Sequence, residues 1–144
     1  MTFVDHAYTQ GAIGVQCIYL AQGNGPKAAE VAGWFDTLSA ATGFPGLLAR
    51  VTSIVVIEAT MVNATPLIRD GKEGYYDPAS RVIWMASHAA SPDLLAHEAG
   101  HHVSVTLGPA PSAELIAEVF KATFAPKVGS VAEVFRSFAH KSGW

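Results

Sequence analysis

Apolar positions along this chain follow two repeats, one of two residues and one of about 3.6. Ile13, Val15, Cys17 and Tyr19 alternate like a strand, although Gly11 and Gly14 weaken any assignment over the first 22 residues. Gly23-Asn24-Gly25-Pro26 is a break. Over about 27–41, Val31, Trp34, Phe35 and Leu38 recur at helical spacing, and Gly43, Pro45 and Gly46 punctuate the end. Residues 51–60, VTSIVVIEAT, are rich in β-branched types and predict a strand. In GYYDPASRVIWMA, Asp77-Pro78 marks a turn between strands, with 81–86 as the second. Ser91-Pro92-Asp93 then opens a helix, with Ser as the cap, Pro at the first helical position and an acid in the first turn. That helix should run to Leu107 and stop at Gly108-Pro109. Ser112 and Ser130 should cap two further helices at about 113–124 and 131–141. A helix, strands and then three helices predict an α+β architecture.

The 144 residues allow one domain spanning 1–144. Lys and Arg number 9 against 12 Asp and Glu, for a net charge of −3, so nucleic acid is not the expected partner. Half of the residues are hydrophobic and only 15% are charged, against about 25% in an average soluble domain. Such a chain can bury a core, and its thin cover of charge leads us to expect self-association or a stable protein partner. One cysteine, Cys17, rules out an intrachain disulfide framework and a cysteine-based zinc finger. The N-terminus, MTFVDHAYTQ, carries an acidic residue and no Lys or Arg before the apolar stretch, and that stretch, at about ten residues, is too short to span a bilayer. The expected location is cytoplasmic, or a virion or secreted one reached without a signal peptide.

The candidate chemistry lies inside the 92–107 helix, at His97-Glu98-Ala99-Gly100-His101. Residues four apart share a helical face, so His97 and His101 can aim two ring nitrogens at one point. Glu98 projects about 100° round from His97 and reaches the same rim. Two histidines then hold Zn²⁺ while the glutamate takes a proton from the water that the metal activates. Leu94, Leu95, Val103 and Leu107 make the surrounding helix apolar, and polar groups embedded there need partners. His102 points about 100° away from His101, towards solvent or a supporting position rather than the metal.

The residues HEAGH resemble the zincin metallopeptidases. Ser104 and Leu107 stand where the metzincin branch extends its motif, which leaves the gluzincin branch and a glutamate ligand on a later helix. Glu114-Leu-Ile-Ala-Glu118-Val-Phe120 is similar to the glutamate helix of thermolysin-like and anthrax-lethal-factor-like peptidases. The resemblance implies a zincin-like domain with a small sheet against the HExxH helix, Glu114 as third metal ligand and Glu118 as the carboxylate that orients a zinc histidine. Glu133, in Ser130-Val-Ala-Glu133-Val-Phe135, is the alternative ligand, because small lethal-factor-like proteins carry a similar helix near the C-terminus. The same residues also fit plain roles: Glu133 as half of a capping box with Ser130, and Glu114, Glu118 and Lys121 as a solvated stripe.

An oxyanion donor is also needed. Tyr75, Tyr76, Arg136 and His140 qualify by type, although the tyrosines fit packing at a hairpin turn better. In zincins the strand ahead of the active helix lines the cleft, so the resemblance places Trp84 or Met85 at its border. The expected function is a zinc peptidase acting on a peptide or protein. The alternative is a metal-containing but catalytically silent component of a larger assembly, such as a phage particle or toxin complex.

Overall fold

Strand alternation and one-sided helix burial organise the computed structural model, which describes residues 2–43, 46–61, 67, 72–107 and 113–124; the side chains of 106–107 and 113–115 lie outside that description. The order is β1 (Phe3–Tyr8), β2 (Gly14–Tyr19), α1 (Ala28–Thr42), β3 (Ser53–Ile57), β4 (Gly74–Asp77), β5 (Val82–Ala86), α2 (Pro92–Leu107) and α3 (Ala113–Phe124). The fold is α+β. The sequence-predicted helix at 131–141 lies outside the described residues.

The strands form one mixed sheet in the order β1-β2-β3-β5-β4. β2, β3 and β5 run parallel in the middle, and β1 and β4 close the two ends antiparallel. Period-two alternation sends Val15, Cys17, Tyr19, Ile54, Val56, Tyr76, Ile83 and Met85 to one face, where the main core forms. α1 packs there on β1 and β2, α2 on β4 and β5, and α3 against α2. Val55, Ile57, Leu67 and Ala86 make a smaller cluster on the opposite face, joined by Ile18, Tyr75 and Trp84.

Local chemistry sets the element ends. Lys27, the residue before α1, has no side-chain cap, and Asp5 from β1 supplies one by accepting the Ala28 N–H at 2.8 Å. Gly43 ends α1 in the left-handed region at φ 71°, which costs glycine nothing. β3 is shorter than the sequence pattern suggested. Val51 N–H bonds back to Leu48, and Met61 N–H to Glu58, so turns take both ends of 51–60. β1 escaped the sequence reading because its outward residues, Val4, His6 and Tyr8, are not uniformly polar. In the β4–β5 turn, Asp77 accepts from Ala79 N–H at 3.1 Å and Ser80 hydroxyl at 2.8 Å.

One expectation is corrected. β5 lies between β3 and β4, with Met85 fully buried and Trp84 on the far face, so neither borders a cleft. The edge position beside α2 belongs to β4.

Candidate metal centre

Ser91 fixes where α2 starts: its hydroxyl accepts from Leu94 N–H at 3.1 Å and its carbonyl from Leu95 N–H at 3.0 Å. Leu95, Ala96, Ala99 and Val103 bury against the core, and that rotation turns His97, Glu98 and His101 toward a cleft beside β4. The Nε2 atoms of His97 and His101 come to 3.2 Å, with the rings edge-on at 78°. One carboxylate oxygen of Glu98 joins them, and the three donor atoms all lie within 4.8 Å of one another. Two imidazole nitrogens bound tetrahedrally to one Zn²⁺ stand about 3.3 Å apart, given Zn–N near 2.0–2.1 Å. The two ring nitrogens are therefore spaced to hold one metal ion. Among the described residues, no other cluster of histidine, cysteine and carboxylate groups has this character.

Behind His97 stands α3. Glu118 meets His97 Nδ1 at 2.9 Å through one carboxylate oxygen and Lys121 Nζ at 3.0 Å through the other. The Glu118 side chain is only 7% exposed, so the reading of Glu118 and Lys121 as a solvated stripe is corrected. This pairing depends on a close helix crossing. A Cβ on Gly100 would lie 2.5 Å from Ala117 Cα, so the two helices touch backbone to backbone one residue before Glu118. Nothing in the spacing of either helix alone marks that crossing; the small side chains at 100 and 117 were the available signal.

Edge strand β4 forms the other wall. The cleft, of about 450 Å³, is lined by Gly74, Tyr75 and Tyr76 on the strand side and by Leu94, Glu98 and Val105 on the helix side. Tyr76 is buried and shares a 2.8 Å hydrogen bond with His102 Nδ1. Burial pushes the Tyr76 phenol up and the His102 imidazole down from their ordinary pKa values, and both shifts favour the neutral forms. His102 is thus a buried anchor, not a solvent-facing residue, and Tyr76 has the packing role its hairpin position suggested. Tyr75 points to the smaller cluster, with Lys72 Nζ 5.6 Å from its ring centre. The side chain of Glu114, together with Glu133, Arg136 and His140, lies outside the described residues. The backbone at 114 sits in the first turn of α3, on the helical face that bears Glu118.

The chain matches no protein-family model, no curated protein and no solved structure. Among the described residues, no helix is long and apolar enough to cross a membrane.

Proposed function

We propose that the protein is a zinc-dependent peptidase of the HExxH, gluzincin type. His97 and His101 hold the metal, Glu114 completes the ligand set with Glu133 as the alternative, and Glu98 carries protons. The observation that carries this reading is the convergence of His97 Nε2 and His101 Nε2 to 3.2 Å with the Glu98 carboxylate beside them. Glu118 on His97 Nδ1 supports it: a carboxylate there fixes the tautomer and raises the basicity of the nitrogen facing the metal.

Edge strand β4 supports a peptide as the substrate. Among the described strands it is the outermost on the cleft side, and an extended chain could add to it as a further strand through main-chain hydrogen bonds. Zinc, when bound, supplies a Lewis acid that polarises the scissile carbonyl and acidifies the attacking water. The Glu98 carboxylate accepts the proton of that water and returns it to the leaving nitrogen.

The test is elemental analysis and cleavage of a mixed peptide library by wild type and Glu98→Gln. We expect one zinc per chain in both proteins and cleavage by the wild type alone. A wild type that holds no stoichiometric metal overturns the reading. Zinc held without cleavage of any peptide transfers the protein to the silent, metal-stabilised class.

A further inference from the structure

Gly74 begins β4, where glycine is a poor strand former. Its backbone does not need glycine: among the described glycines only Gly23 and Gly43 have positive φ. What requires glycine is space. A Cβ at 74 would lie 2.8 Å from Leu94 Cδ1 and 2.9 Å from Glu98 Oε2, both closer than real contacts allow. These neighbours are the ends of side chains rather than backbone, so an added methyl would be admitted by moving them. Glu98 is the one whose displacement matters, since it is 4% exposed and its carboxylate belongs to the donor cluster.

The approach is set by register. Gly74 and Tyr76 are two residues apart and point to the same side of β4, a separation of about 6.6 Å. Glu98 and His102 are four residues apart on α2, a separation of about 6 Å. The near match lets the Tyr76–His102 hydrogen bond at one level bring Gly74 opposite Glu98 at the next. We infer that Gly74 is a positioning residue for Glu98: its bare backbone leaves the carboxylate the room it occupies at the cleft, and Tyr76 with His102 holds strand and helix in that register. The catalytic part of this inference rests on the peptidase reading; the steric part does not.

The experiment combines Gly74→Ala with Glu98→Ala and reads melting temperature, zinc content and cleavage. In the wild-type background Gly74→Ala should lower the melting temperature by about 3 °C or more, as overpacking does. In the Glu98→Ala background we expect a smaller loss, because the displaced carboxylate is gone and only the contact with Leu94 remains. Zinc content should stay at the wild-type level. The kcat for peptide cleavage should fall about 100-fold, the effect of a catalytic group misplaced by about 1 Å, with KM within about threefold. Tyr76→Phe adds no atom but frees the register, and should lower kcat in the same sense by about tenfold. Full kcat in Gly74→Ala overturns the inference, as does an undiminished melting-temperature loss in the Glu98→Ala background. If the wild type cleaves nothing, the peptidase reading fails by itself, while the melting-temperature comparison still decides whether Gly74 makes room for Glu98.

Discussion

At His97 the tautomer is decided by a neighbour on the adjoining helix, 21 positions along the chain. The Glu118 carboxylate accepts from Nδ1–H at 2.9 Å, which leaves the Nε2 lone pair facing the cleft. Lys121 balances the other carboxylate oxygen, so the buried anion is tolerated. Glu118→Ala should therefore weaken zinc binding about 10–100-fold without abolishing it, and Glu118→Gln should weaken it less, since an amide oxygen still accepts from Nδ1. Competition with a chromophoric chelator measures both; wild-type affinity in Glu118→Ala would remove the supporting role. The same titration separates the candidate ligands. Glu114→Ala should release the metal, whereas Glu133→Ala should keep it and cost about 0.5–2 kcal/mol of stability as a lost cap does. Zinc lost with Glu133→Ala and kept with Glu114→Ala reverses that assignment. The histidine pair was legible in the sequence because its spacing is local to one helix. Glu118 was legible only through resemblance, and Gly74 not at all: a glycine ahead of two tyrosines reads as punctuation until a helix is laid across it.

Between elements, the tightest joint is the crossing of α2 and α3 at Gly100 and Ala117. In an isolated helix, glycine to alanine stabilises by up to about 1 kcal/mol. Here the added methyl meets the Ala117 backbone, which cannot rotate away. Gly100→Ala should destabilise by about 1–3 kcal/mol in chemical denaturation and weaken zinc binding together with it, because α3 carries Glu118 away from His97. A stabilised Gly100→Ala would mean the helices are not in contact. Helix ends were well anticipated: 92–107 and 113–124 match α2 and α3, and α1 is displaced by one residue, because caps and breakers such as Ser91, Pro92 and Gly43 act locally. Strand neighbours were not. Alternation in 81–86 tells which side chains share a face, but not that β4 rather than β5 is the outermost of the described strands, since pairing order depends on segments far apart in sequence.

For the whole molecule, the sheet divides labour along the chain. β1 to β3 and α1 supply backing, whereas β4 and α2 line the cleft, with β5 beside β4 and α3 packed against α2, all consecutive from Gly74 to Phe124. That division has a kinetic consequence. The β4–β5 pair closes through a tight turn at 78–81, and α2 docks on the strands that immediately precede it. The parallel pairs β2–β3 and β3–β5 must each close a much longer loop, and such non-local contacts form late. We expect Ile83→Val in β5 to act mainly by slowing refolding, and Val15→Ala in β2 mainly by speeding unfolding, in denaturant-dependent rate measurements. The reverse partition would place the nucleus in the backing sheet. In a chain that assembles this way, the cleft walls are the earliest structure in each molecule's history and the last to be surrendered when it unfolds.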